Sequence, residues 1–189
     1  MRALEVFDDG SGPALYAGGQ GFTASGVAGE HRIAKWDGSA WSALAQGIDN
    51  STVYSLHTYD DGTGEALFVG GSYIQQADRP GRLLSKWTGT AWESLPAEPD
   101  NTVFDLATYD AGDGEVLYAA GSLQMVGSQP TSFIAGWNGT AWQTFTGAND
   151  IIWTAGGHDD GSGPALYAGG NFTMIGAGVS ASRVARYAC

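Results

Sequence analysis

The chain repeats itself. "KWDGSAW" at 35–41 returns as "KWTGTAW" at 86–92 and as "GWNGTAW" at 136–142, so that Trp36, Trp87 and Trp137 follow one another at intervals of 51 and 50 residues. "RYAC" places Tyr187 a further 50 residues on, where the sequence stops. A second motif keeps the same step: "ALYAGG" (14–19), "ALFVGG" (66–71), "VLYAAG" (116–121) and "ALYAGG" (165–170). A third is acidic: "FDDGSGP", "YDDGTGE", "YDAGDGE" and "HDDGSGP". Three anchors in one fixed order make internal duplication the fact that every other reading must fit.

Each unit resolves into short strands. In the second, "VYSLHTYD" carries the β-branched and aromatic residues that favour a pleated surface. Asp60-Asp61-Gly62-Thr63-Gly64 then turns the chain, because glycine accepts positive φ and aspartate bonds its own backbone. "EALFVGG" is the second strand, a loop of about ten residues leads to "RLLSKW", and a tight turn leads to "AWESL". Nothing has helical period, and 30 glycines in 189 residues disfavour helix.

The tryptophans flank Asp37-Gly38-Ser39-Ala40 and Asn138-Gly139-Thr140-Ala141, and Asp-Gly and Asn-Gly are strong hairpin signals. Residues five apart across a two- or four-residue loop share one face, so each tryptophan pair should meet. A three-residue loop would set them on opposite faces. Six of the seven tryptophans lie in this hairpin, which favours a structural role over sugar stacking.

Four-stranded antiparallel units of about 50 residues with shared turn chemistry predict an all-β fold, a β-propeller. It is read as a single domain, 1–189, with blades near 1–48, 49–98, 99–147 and 148–189. Aligned on Tyr16, Phe68, Tyr118 and Tyr167, Met1 falls opposite Val53 and Cys189 opposite Gly38, so the last blade is expected to have three strands. Truncation of a longer array, natural or engineered, is the expected cause. The same alignment puts Arg2, Tyr54, Phe104 and Trp153 at one position of the first strands. Glu5, His57, Asp105 and Gly156 are read as another shared position, bordering the propeller's channel.

A glycine doublet ending an apolar strand, an aromatic in the third strand and a tryptophan a few residues later resemble the kelch repeat across nearly the whole chain. Trp36, Trp87 and Trp137 stand where that repeat usually has tyrosine, and the third unit has Ala120-Gly121 for the doublet. The pattern is also similar to tandem "LYxGGxF…WxGxxW" repeats of secreted bacterial and fungal surface proteins. That resemblance implies a propeller in a secreted or cell-surface setting and specifies no activity.

The formal charge of −12 disfavours nucleic acid and anionic membranes as partners. No stretch approaches ~20 apolar residues, so no membrane insertion is expected, and "MRALEVFDDG" has no signal-peptide character. The single cysteine, Cys189, allows no intrachain disulfide and no thiolate cluster. His31, His57 and His158 lie at no metal-ligand spacing, and His158 takes the place held by Phe7, Tyr59 and Tyr109. There is no G-x-S-x-G elbow. The chain is therefore read as non-enzymatic, with no catalytic, cofactor or metal residues. Ten of the 20 acidic residues lie in the first turns. "DDGSG" lacks the alternating ligand spacing of calcium loops, so these turns are read as solvated.

The expected function is a binding or surface scaffold with a protein or glycan ligand, the alternative being a lectin-like, carbohydrate-binding propeller. Four bulky side chains at one level would crowd a four-bladed centre. A homodimer completing one eight-bladed ring is therefore expected, since it also removes two bare apolar faces.

Overall fold

A computed structural model describes residues 1–21, 31–45, 48, 52–72, 83–176 and 178–187. Among these residues there is no helix, and the secondary structure is nineteen strands. The chain divides into two compact halves, Met1–Glu98 and Pro99–Cys189, each holding two repeats.

In the N-terminal half, repeat 1 is a sheet of β1 (Ala3–Asp8), β2 (Pro13–Gly18), β3 (Ile33–Trp36) and β4 (Trp41–Ala43) in that order. Repeat 2 follows with β5 (Thr52–Asp60), β6 (Glu65–Ser72), β7 (Leu84–Trp87) and β8 (Trp92–Glu93), again in chain order. Every pairing is antiparallel.

The C-terminal half repeats the plan. Repeat 3 has β9 (Val103–Asp110) and β10 (Glu115–Gly121), then a small hairpin of β11 (Met125–Val126) and β12 (Gln129–Pro130), then β13 (Ile134–Trp137) and β14 (Trp142–Thr144). Repeat 4 has β15 (Ile152–Asp159), β16 (Pro164–Gly170), the hairpin β17 (Met174–Ile175) with β18 (Val179–Ser180), and β19 (Val184–Tyr187). Its main sheet is three-stranded, β15-β16-β19, as expected. The two small hairpins fall within what the sequence presents as plain loops. The Asp100 carboxylate accepts from the amides of Gln124 and Met125, and the Asn149 side chain does the same for Thr173 and Met174. The corresponding loops of the first two repeats lie outside the described residues.

The first strands of repeats 2, 3 and 4 each carry a bulge. Register slips between Val53 and Ser55, between Asp105 and Val103, and between Ile152 and Thr154, leaving Tyr54, Phe104 and Trp153 as the extra residues. An extra residue aims its side chain out of the ladder's alternation. Arg2 lies over the Tyr54 ring at 4.8 Å, and Phe104 stacks on Trp153 at 4.5 Å. The glycine doublet has a packing reason. A Cβ on Gly18 would lie 2.4 Å from a Val53 methyl, and one on Gly121 or Gly170 would strike the carbonyl of Thr102 or Ile151.

One correction concerns register. Glu5, His57 and Gly156 do pair with the equivalent residues Tyr16, Phe68 and Tyr167. Tyr118 pairs with Ala107, while Asp105 pairs with Ala120. Asp105 therefore shares its position with Ala3, Ser55 and Thr154. Its carboxylate bonds Thr154 Oγ1 at 2.8 Å and the Ala155 amide at 3.0 Å.

Within each half, one repeat packs its back face on the front face of the next. In the N-terminal half the core joins Phe7, Tyr16, Ile33, Leu44 and Ile48 of repeat 1 to Val53, Leu56, Leu67, Val69 and Trp87 of repeat 2. In the C-terminal half the equivalent core joins Tyr109, Tyr118 and Ile134 to Ile152, Leu166 and Ala168. Burying each such side chain contributes about 1.5–3 kcal/mol, so these seams dominate the stability of each half.

Candidate functional site

The acidic turns are built to a single plan. The first aspartate of each, Asp8, Asp60, Asp110 or Asp159, turns one carboxylate oxygen back onto two glycine amides of its own loop at 2.6–3.1 Å. Those glycines have φ between +91° and +116°, which is why the positions are glycine. Four of the ten acidic residues in these turns are thus turn chemistry.

The second aspartate faces the sheet. Asp9 accepts from the Ser11 hydroxyl at 2.6 Å, the Tyr16 hydroxyl at 2.9 Å and the Lys35 ammonium at 2.5 Å. Asp61 accepts from the Thr63 hydroxyl at 2.6 Å and from Lys86, whose ammonium lies 2.8 Å from both carboxylate oxygens. Asp160 accepts from the hydroxyls of Ser162 and Tyr167, while Arg186 donates to the Gly163 carbonyl. Burial by itself would raise the Asp9 and Asp61 carboxyls. The lysine and hydroxyl bonds outweigh it and hold both below the usual carboxylate range. The hydroxyl bonds of Ser162 and Tyr167 do the same for Asp160.

Repeat 3 departs from this plan at two places together. Lys35, Lys86, Gly136 and Arg186 pair with the equivalent residues Tyr16, Phe68, Tyr118 and Tyr167. Where the other repeats have aspartate and a cation, repeat 3 has Ala111 and Gly136. Both partners are gone, and neither charge is left buried alone. A cavity of about 360 Å³ opens there, lined by Asp113, Glu115, Val116, Tyr118, Asn138 and Gln143.

The tryptophan hairpins are direct cross-strand pairs over four-residue loops. Trp36 faces Trp41, Trp87 faces Trp92 and Trp137 faces Trp142, with ring centroids 5.4, 5.1 and 5.5 Å apart. The residue after the first tryptophan holds each turn. Asp37 accepts from the Ala40 and Ser39 amides and the Ser39 hydroxyl, so its carboxyl is lowered to about 2. Asn138 makes the same three bonds in repeat 3. Trp87 and Trp137 are buried, and the Trp92 indole donates to the Leu44 carbonyl of the neighbouring repeat. The rings spend their faces on each other and on the seam.

His158 meets Tyr167 edge-on at 5.8 Å, as Phe7 meets Tyr16 and Tyr59 meets Phe68 at 5.6 Å. It is the aromatic substitute its alignment implies. Among the described residues, no three His, Cys, Asp or Glu side chains gather as metal ligands. Cys189 lies outside the described residues. Asn50-Ser51-Thr52, Asn138-Gly139-Thr140 and Asn171-Phe172-Thr173 have the form of glycosylation triplets, and Asn50 and Ser51 lie outside the described residues. Asn138 sits at an exposed turn, and Asn171 accepts from the exposed Trp153 indole at 3.1 Å. No helix of the described residues is long and apolar enough to cross a membrane.

The sequence leads one to expect two bare apolar blade faces, and apolar side chains are indeed exposed on repeats 1 and 4. Leu4 and Val6 of β1 are 48% and 61% exposed, whereas Leu56, the repeat-2 counterpart of Leu4, is 5% exposed. On repeat 4, Val184 is 65% exposed, whereas its counterparts Ile33 and Ile134 are fully buried. Comparison with family models, curated proteins and solved structures finds no match.

Proposed function

We propose that this chain is a non-enzymatic binding or surface scaffold built from kelch-like propeller blades and working in a secreted or cell-surface setting. The observation that carries the reading is how the polar groups of the repeat are used. The turn aspartates clasp their own loops, the second aspartates hold the lysines, and the tryptophans hold one another. An active site needs convergent groups whose bonding is reserved for a substrate. The repeating side chains here are committed to the fold, which leaves variable loops and sheet faces as the surfaces that a partner reads. The four sheets then act as radial blades, with β1, β5, β9 and β15 innermost.

The experiment that tests this reading is a glycan array read beside iodide quenching of tryptophan fluorescence. The scaffold reading expects no glycan signal and protection of most of the emission, with Trp153 the accessible ring. Specific glycan binding that is lost in Trp153→Ala would replace it with the lectin-like reading.

A further inference from the structure

We propose that the exposed back face of repeat 4 seats the front face of repeat 1 from a second copy of this chain, so that two copies close head to tail. The inference rests on the repeat-scaffold reading and identifies its first partner. The seam inside each half is its template, because the same two surfaces reappear, exposed, on the first and last repeats.

Consider the front face first. In the N-terminal half, repeat 2 presents Val53, Leu56, Leu67 and Trp87 to repeat 1. The equivalent residues of repeat 1 are Met1, Leu4, Leu15 and Trp36. Met1 is 69% and Leu4 48% exposed, against 0% and 5% for Val53 and Leu56. Val6, 61% exposed, extends this apolar surface.

The receiving face is matched in the same way. Repeat 1 receives its neighbour on Phe7, Tyr16 and Ile33, and repeat 3 uses Tyr109, Tyr118 and Ile134. Repeat 4 has His158, Tyr167 and Val184 at these positions, around an apolar groove of about 340 Å³ that also takes in Gly156 and Gly169. Gly18, the counterpart of Gly169, is the glycine onto which the Val53 methyls pack. Over Gly169, the place of those methyls would be taken by Met1 of the second copy.

The polar matching agrees. At the N-terminal seam Glu5 accepts from the Thr58 hydroxyl at 3.2 Å, a polar residue on each side. At the C-terminal seam the same two positions are Ala107 and Gly157, small on each side. At the proposed seam they are Gly156 and Val6, so these two positions bring no unpartnered polar group into it. Closure with two copies uses each exposed face once.

The test is sedimentation equilibrium of the full chain, under reducing conditions so that Cys189 cannot cross-link, up to on the order of 100 µM. A species of about twice the 19.6 kDa chain mass is expected. Val6→Asp and Val184→Asp should each return the protein to monomer, with circular dichroism confirming that each stays folded. A mixture of the two variants should recover a weaker heterodimer, since one seam of that pair lacks both substitutions. A wild-type monomer throughout the range, growth beyond two copies, or a dimer indifferent to both substitutions would overturn the proposal. A glycan ligand would overturn the scaffold reading and leave the measured mass as it is, so the two failures are distinguishable.

Discussion

Lys86 holds its ammonium 2.8 Å from both oxygens of Asp61, and the strand and turn that carry this pair return in repeat 3 with Gly136 and Ala111 in their places. Both side chains of the pair are nearly buried, at 6% and 9% exposure. Removing one partner of such a pair strands a charge, whereas removing both does not. Repeat 3 is the natural double variant. Val116 and Tyr118 pack against Gly136, where a Cβ would meet them at 2.8 and 3.2 Å.

Lys86→Met should therefore destabilise by about 3 kcal/mol, and Asp61→Ala by a similar amount. The double variant Asp61→Ala/Lys86→Met should cost clearly less than the two singles together. Urea unfolding of the four proteins gives the coupling directly. Strict additivity would mean that the pair contributes through packing and not through charge.

Stability should fall on both flanks of a broad plateau. Asp9 and Asp61 are lowered in the fold, so what they contribute is present above their unfolded value near ~4 and is lost as pH falls below it. Tyr187 moves the other way, pushed up to about 12 by burial, and Tyr16 is raised by burial and by its bond to Asp9. The tyrosine contribution is complete below the unfolded value near ~10 and is lost as pH rises above it. Urea midpoints from pH 2 to about pH 11 should trace both limbs, and Tyr187→Phe should flatten the alkaline one. An alkaline limb unchanged in that variant would refute this assignment.

Glycine substitutions should divide by what a Cβ meets. Gly121→Ala and Gly170→Ala drive a methyl into the backbone carbonyls of Thr102 and Ile151, at 2.0 and 2.1 Å, and should cost about 3 kcal/mol. Gly156→Ala meets nothing within 4 Å and has no positive φ, so it should be neutral or stabilising by about 0.5 kcal/mol. Thermal melts of the Val184→Asp background keep the proposed seam out of this comparison. Equal losses at Gly121 and Gly156 would show that backbone entropy, not close approach, explains the doublet.

Much of this was legible because the repeat writes its turns in residues with few alternative uses. Asp60 and Gly62 have one conformational reason to recur together, and the tryptophan spacing implied a shared face that Trp87 and Trp92 occupy. Asp105 was misplaced because its charge invited a match with Glu5 and His57, whereas register follows spacing, and spacing selects Ala107. The hairpins β11–β12 and β17–β18 were invisible, since two-residue strands carry no period and their clamps, Asp100 and Asn149, lie 24 residues from the amides of Gln124 and Thr173. Which residues make up the exposed faces was not legible for another reason. Leu4 and Leu56 are the same residue in the same motif, and only packing separates them.

The same separation makes a final prediction about two tryptophans that the sequence treats as equals. Trp92 donates its indole N–H to the Leu44 carbonyl at 3.3 Å and packs against the N-terminal core. Trp41, its counterpart in repeat 1, lies on the front face that also carries Leu4 and Val6, and its ring meets Trp36 at 5.4 Å. Trp92→Ala should therefore remove the hydrogen bond, the ring pair and the seam contact, costing about 3 kcal/mol. Trp41→Ala removes the ring pair, worth about 1 kcal/mol, without loss of that seam, and should cost less. Measured by urea unfolding in the Val184→Asp background, where no second copy is seated, the difference isolates what a neighbouring repeat adds to one hairpin. In the wild-type background at high concentration, Trp41→Ala should also weaken self-association. Equal costs in the monomeric background would mean that the hairpins are held by their own rings alone and that the seam adds nothing to them.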